Sequence, residues 1–313
     1  MSGVAAWGKV VAREDLGRLV WLTLAVPGWP GADPGQFAML RAEESRCFLA
    51  RPLSIADEEQ GQVSFLIAPV GQGTLELCRL RSGESVWVVG PLGRGFEAEA
   101  MLLLASEGSR LVLVGGGVGV APFPLLLRRL AERAGGKVGS EAGSGTRGGA
   151  ALPVAEVLVL LGFRDAKQAR GAEPIQRAVE ALARAGVECR AEVTTEDGSV
   201  GQKGLVSQLL AQETRPGDCL AVCGPWAMTE AVAALCRCAP GIRAWFSLET
   251  KMACGVGACH GCVVELNDGT FARVCRDGPV FPGEVLFGAP GTPASGSHMR
   301  WSGSAGEGGA CQA

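Results

Sequence analysis

Near the end of the 313-residue chain, the stretch KMACGVGACHGCVVELNDGTFARVCRDGPVF carries Cys254, Cys259, Cys262 and Cys275 in the spacing C-x4-C-x2-C-x12-C. Thiolates this close together suit metal ligation, and zinc, a disulfide pair and an iron-sulfur cluster compete for them. Zinc sites usually pair their ligands as two C-x2-C knuckles, whereas here only Cys259 and Cys262 have that spacing. A disulfide framework fits poorly, because the twelve cysteines scatter through apolar segments rather than framing a small secreted scaffold. A [2Fe-2S] centre fits: C-x4-C-x2-C followed by a distant fourth Cys is the plant-type spacing. Gly255, Gly257 and Gly261 let such a loop wrap closely and turn its N–H groups toward the sulfurs. His260 lies inside the loop, but a Rieske centre needs two histidines and the other one, His298, is in the tail. All-cysteine ligation is expected, with His260 outside the ligand set.

Three further stretches could hold a phosphate-bearing ligand. In LVLVGGGVGVAP, Gly115, Gly116, Gly117 and Gly119 stand between an apolar run and a helical pattern. Glycines there let the backbone approach a phosphate, and the free N–H groups of a helix start favour its charge. The spacing is not G-x-G-x-x-G, and tight strand-to-helix packing is the alternative. In ARPLSIAD, Arg51 ahead of Pro52 and Leu53, with a hydroxyl at Ser54, offers a charged fork and a hydrogen-bond donor on an extended segment. By itself this reads as a strand ending in a surface Arg. The turn that follows, Gly71, Gly73 and Thr74, supplies a second candidate pyrophosphate cradle and changes that balance. In CGPWAM, Cys223, Gly224 and Pro225 follow an apolar strand and precede a helix, the edge where open parallel sheets bind ligands. A buried Cys acting as a small hydrophobe is the competing account.

The elements that must position these residues fall into blocks. A chain of 313 residues with 47% hydrophobic residues is long enough for two cores and a smaller module. From Gly3 to about Ala105, short alternating or apolar runs separated by Gly, Pro and Asp-Glu turns predict an antiparallel barrel. From LVLVGGG onward, apolar strands alternate with helical patterns, which predicts a parallel sheet covered on both faces. The expected division is a barrel over 1–106, an α/β domain over 107–245, a cysteine module over 246–287 and a tail over 288–313. The segment 135–150, GGKVGSEAGSGTRGGA, reads as a flexible insertion and the tail as disordered, with Cys311 a bystander. A net charge of −3 gives no broad basic field, so nucleic acid and anionic membrane surfaces are excluded as partners. No apolar run is long enough to span a bilayer, no charged and apolar leader opens the chain, and the cysteine usage suits a reducing cytoplasm.

Taken in order, RPLSI in a barrel, GGGVGVAP and CGP in a sheet domain, TTEDGSVGQKG, SLETKMACGVGACHGC and CRDGPVF resemble the ferredoxin-NADP reductase superfamily. The resemblance is closer still to the electron-transfer subunits of heteromeric dihydroorotate dehydrogenases, and covers about Gly3 to Phe287. It implies that Arg51, Pro52, Leu53 and Ser54 hold an FAD, with Leu66, Ile67, Ala68, Gly73 and Thr74 completing its site. It implies NAD(H) over Gly115, Gly116, Gly117 and Gly119, with the nicotinamide near Cys223, Gly224 and Pro225, and a [2Fe-2S] cluster on the four cysteines. A hydride carries two electrons and such a cluster one, so a flavin between them splits the pair. The implied partner is a separate FMN-containing dihydroorotate dehydrogenase catalytic subunit, in a heterotetramer serving pyrimidine synthesis. Rival readings are an NAD(P)H-oxidising subunit of a glutamate-synthase-like or hydrogenase-like complex, and a metal-stapled redox sensor without enzymatic activity. Arg164 and Asp165 after EVLVLLGF point in opposite directions for a 2′-phosphate, and the reading leans to NAD.

Overall fold

The computed structural model describes residues 3–96, 109–135, 154–239 and 241–288. The glycine-rich insertion beyond Gly135, the tail beyond Gly288 and Cys311 lie outside the described residues. Six strands close into an antiparallel barrel: β1 (Val4–Leu16), β2 (Leu19–Ala25), β3 (Phe37–Ala42), β4 (Arg51–Glu59), β5 (Gln62–Ile67) and β6 (Ser85–Leu92), in the order β1-β2-β5-β4-β3-β6. Alternation builds its core, because successive side chains point to opposite faces of a strand. Leu22 and Leu24, Val63, Phe65 and Ile67, and Val86 and Val88 all turn inward. A short helix α1 (Gln72–Cys78) follows β5.

The second unit is a seven-stranded sheet of order β10-β9-β8-β7-β11-β12-β15. Its members are β7 (Ser109–Gly116), β8 (Val154–Phe163), β9 (Cys189–Thr195), β10 (Gln202–Lys203), β11 (Cys219–Cys223), β12 (Arg243–Ser247) and β15 (Val280–Pro282). All pair in parallel except β15, which runs antiparallel along β12. On β7, Leu111 and Leu113 face one layer and Val112 and Val114 the other, so both faces are packed and the strand reads as continuously apolar. Helices α2 (Phe123–Gly135), α3 (Ala166–Ala169), α4 (Glu173–Arg184), α5 (Val206–Glu213) and α6 (Trp226–Cys238) supply the cover. On α2, Leu126, Leu127 and Leu130 face the sheet, Leu125 packs into the barrel core, and Arg128 and Arg129 reach across to Asp57 and Glu58 of the barrel. No helix among the described residues is long and apolar enough to cross a membrane.

The cysteine stretch leads into a hairpin of β13 (Val263–Glu265) and β14 (Phe271–Arg273), then α7 (Val274–Asp277), β15 and α8 (Gly283–Phe287). This segment shares a core with the sheet and the barrel: Cys262, Val264 and Cys275 pack with Phe246 and Leu286, and with Phe37 and Met39. The turn after β6 is tied to it, the Arg94 N–H donating to the Gly278 carbonyl at 2.5 Å.

At the amino ends of the strands lies a buried ion pair. Arg110, with 4% of its side chain exposed, donates from Nη2 and Nε to Asp218 at 2.8 and 3.1 Å, and Nη2 also reaches the Glu213 carbonyl. Removing the acid would strip the buried guanidinium of its two hydrogen bonds to Asp218 and leave it the Glu213 carbonyl and the Glu156 carboxylate, 3.8 Å from Nη1. Asp218→Ala is therefore expected to destabilise the protein by roughly 3–5 kcal/mol, read as a lowered midpoint of chemical denaturation. Removing the exposed Arg177 partner of Glu14 should cost about 0.5 kcal/mol or less in the same assay.

Candidate redox cofactor site

The sheet order reverses direction between β7 and β11, since β8 and β9 extend one way from β7 and β11 and β12 the other. Ligands of open α/β sheets bind in the crevice outside the carboxyl ends of the strands at such a point. Two of the sequence-predicted stretches meet there. Gly115 and Cys223 are register partners at the ends of β7 and β11. The turn Gly117–Val120 then presses against the other strand: a Cβ on Gly119 would stand 2.5 Å from Gly224 Cα and 2.6 Å from the Cys223 carbonyl oxygen. Only glycine permits this approach. Gly116 lies similarly against Pro225 and Met228. Cys223 is 1% exposed, a small buried group at the carboxyl end of β11. Burial pushes its thiol well up, the Glu249 carboxylate adds to this, and a hydrogen bond with Ser247 only partly opposes them. The Cys223 sulfur is therefore a neutral thiol.

In front of this crevice a cavity of about 310 Å³ separates the sheet unit from the barrel. Pro52, Leu53, Ser54, Leu66, Ala68 and Thr74 form its barrel wall, and Val118 and Ala121 of the glycine turn face them. Met252 and Pro279, from the cysteine segment, close a third side. Ile67 is an exception among the sequence candidates, because it is fully buried in the barrel core and turns away from the cavity. Arg51 lies with its stem over Gly73, and its Nε is buried without a hydrogen-bond partner. An unpaired guanidinium donor beside a glycine turn suits an anionic ligand. The Thr74 hydroxyl knits that turn, donating to the Gly71 carbonyl at 2.9 Å and accepting from the Gly71 N–H at 3.0 Å. Sequence reasoning missed the wall of Ser247, Leu248, Glu249 and Thr250, although SLET was the signal available for it.

A larger cavity, about 480 Å³, lies between the barrel and α2 and α4, with Trp21, Asp57 and Arg128 among its residues. It contains none of the glycine turns or cysteines, and its arginines are already paired, Arg128 with Asp57 at 2.6 and 2.7 Å and Arg177 with Glu14 at 3.3 Å. The smaller cavity is the chemically relevant one.

The four thiols form two pairs. Cys254 and Cys259 lie at the rim, and the Cys259 N–H donates to the Cys254 sulfur at 3.4 Å. Cys262 and Cys275 are each 2% exposed, with the Cys275 N–H donating to the Cys262 sulfur at 3.4 Å. Gly255 and Gly257 hold φ of +70° and +82°, the left-handed conformations that curl the loop. Desolvation acts to raise the Cys254 thiol, yet N–H donors of Cys259, Val256 and Ala258 and the Cys259 side chain hold it below its ordinary value. Burial, and then the Cys262 thiol, raise Cys275. Among the described residues no three Cys, His, Asp or Glu groups converge on one ion position. Two thiol pairs suit a two-iron cluster, each iron taking two thiolates, better than a single tetrahedral ion. His260 faces Arg273, its Nε2 lying 3.4 Å from Arg273 Nη1.

Comparison with known proteins identifies this assembly. Residues 249–287 match the iron-sulfur cluster binding domain of dihydroorotate dehydrogenase B, and residues 113–234 an oxidoreductase NAD-binding domain. The electron transfer subunit of dihydroorotate dehydrogenase B (NAD(+)) from Shouchella clausii is 36% identical over 263 residues, spanning 82% of this chain and 87% of that one. The chain belongs to the family of dihydroorotate dehydrogenase B electron transfer subunits. The family's subunit from Listeria monocytogenes is 32% identical, spanning 87% of this chain and 95% of its own. Among solved structures, a chain of the NADH-dependent reduced ferredoxin-NADP oxidoreductase aligns with a TM-score of 0.69 at 26% identity, covering 91% of each chain. A ferredoxin NADP+ reductase from Neisseria gonorrhoeae, at 15% identity and a TM-score of 0.56 over 75% of this chain and 90% of its own, shares the fold. Membership makes the chain an oxidoreductase subunit that transfers electrons for a separate catalytic subunit.

Proposed function

We propose that this chain passes electrons between NAD(H) and the FMN-containing catalytic subunit of a dihydroorotate dehydrogenase, within a heterotetramer of pyrimidine (UMP) synthesis in the cytoplasm. One observation carries the reading: a single cavity is bounded by the barrel strand at Pro52 to Ser54, the glycine turn at Val118 and the cysteine segment at Met252 and Pro279. When bound, FAD takes a hydride as an electron pair, and a [2Fe-2S] centre takes electrons singly. Arg51 and the Gly73-Thr74 turn hold the FAD pyrophosphate, supported by the unpartnered Arg51 Nε. Pro52, Leu53, Ser54, Leu66 and Ala68 wall its ring, while Ile67 contributes backbone alone. The apolar side chains of Leu53, Leu66 and Val118 keep water from the ring. Gly115, Gly116, Gly117 and Gly119 leave room for the NAD(H) pyrophosphate, and Cys223, Gly224 and Pro225 flank its nicotinamide. The neutral, buried Cys223 thiol adds no charge beside the reacting carbon. Cys254, Cys259, Cys262 and Cys275 would hold the cluster as thiolates, since ligating thiols must be ionised. The units of this mechanism are the barrel over 1–106, the α/β unit over 107–245 and the cysteine module over 246–287.

Arg51→Ala should weaken FAD retention by tenfold or more on the order of the charged hydrogen bonds it removes. The check is flavin content after gel filtration together with titration of added FAD. Wild-type protein that neither carries nor takes up flavin would refute the assignment.

A further inference from the structure

The strand registers arrange the outer surface of the barrel in rows. Met39, Val89 and Ala5 are neighbours on β3, β6 and β1, and two residues along the same strands come Arg41, Trp87 and Trp7. Residues two apart on a strand share a face, so the rows form one continuous surface. The cysteine loop covers the β3 end of the first row, leaving Ala5 exposed at the other. Met39 is 2% exposed beneath it, and a Cβ on Gly255 would stand 2.6 Å from Met39 Cγ and 3.5 Å from Leu92 Cδ1. The second row lies one step beyond the loop and is open. Trp7 is 44% exposed, and its ring meets that of Trp87 edge to face with centroids 5.3 Å apart. Lys9 and Ser85, hydrogen-bonded at 2.8 Å, follow in the next row.

The loop beside this surface has to hand electrons to another protein, and it is small. A stable interface takes about 800 Å² from each partner, some 20–30 residues a side. The nine residues from Cys254 to Cys262 cannot supply that area, so a partner seated on the loop must extend over its neighbours. The row that adjoins it presents two tryptophans and an arginine, the residue types enriched at the energetic centres of interfaces. We propose that Trp7, Trp87 and Arg41, continuous with the cysteine loop, form the docking face for the catalytic subunit, whose matching surface holds an apolar recess for the indoles and carboxylates for Arg41 and Lys9. This rests on the functional reading above.

The test is the dissociation constant between the cofactor-loaded chain and the catalytic subunit of its own organism, measured by calorimetry. Trp7→Ser/Trp87→Ser is expected to raise it roughly 30-fold and Arg41→Glu by about tenfold, with flavin and cluster spectra and NADH-driven dye reduction unchanged. Leu205→Ser, at a distant residue 51% exposed on the sheet unit, should leave it unaltered. Equal affinity of wild type and both variants overturns the docking face while leaving the functional reading intact. Absence of any wild-type complex overturns both. A dimer of the isolated chain that the tryptophan variant dissolves would give the face to a second copy and also overturn the proposal.

Discussion

A Cys259→Ser chain is expected to lose essentially all electron delivery to its catalytic partner while still oxidising NADH with a flavin-directed dye. Cys259 is the exposed member of the rim pair, so a hydroxyl there disturbs no core. Any defect then reports ligation rather than folding. Serine replacements at Cys254, Cys262 and Cys275 should likewise remove or alter the electron resonance signal of the reduced protein. At Cys262 and Cys275 a cost in stability is expected as well, because each is 2% exposed in the shared core. Replacements at Cys189, Cys236 and Cys311 should leave the signal unchanged. Stoichiometric zinc without iron, in protein made with ample iron, would overturn the ligand assignment, and so would an unaltered signal from any of the four variants.

Much of this site was legible before any coordinates because its elements are local. The apolar run of β7, the glycines after it and the leucines of α2 specify strand, turn and helix within one short stretch. The same holds for CLAVCG and WAMTEAVAALCRC at β11 and α6. What escaped is long-range. Strands β12, β13, β14 and β15 run three to five residues each, too short for periodicity to distinguish, and β15 becomes a strand only by pairing antiparallel with β12. Ser247 to Thr250 enter the cavity wall because β12 ends at the crevice, a consequence of sheet order that no local pattern encodes. Ile67 shows the converse. It sits beside Leu66 in sequence, yet the two-residue period of β5 sends the neighbours to opposite faces, one to the cavity and one to the barrel core. Trp7 and Trp87 are eighty residues apart and meet only through the closure of β1 on β6.

The largest expected effect belongs to the division of labour between subunits. With cofactors in place, the isolated chain should reduce artificial dyes with NADH and yield no measurable orotate from dihydroorotate. The reasoning is spatial. The cavity beside the crevice is lined mainly by apolar side chains, with the hydroxyls of Ser54, Thr74, Ser247 and Thr250 and the Glu249 carboxyl among them, and it lies between the glycine turn and the cysteine segment. Among the described residues, the barrel wall of the cavity carries only the Ser54 and Thr74 hydroxyls as polar side chains, and so no base to take a proton where a dihydroorotate ring would have to be oxidised. Mixed with a dihydroorotate dehydrogenase catalytic subunit, the chain should couple orotate formation to NAD reduction. Gly119→Ala should abolish that coupling and the dye activity together, because the added methyl would meet Gly224 and the Cys223 carbonyl within 2.6 Å and close the crevice. Cys259→Ser should abolish the coupling alone. The two variants therefore separate entry of the electron pair at the glycine turns from its exit at the rim cysteines. If Cys259→Ser coupled the subunits at full rate, the exit would lie elsewhere on the chain, and the cavity rather than the cysteine loop would have to face the partner.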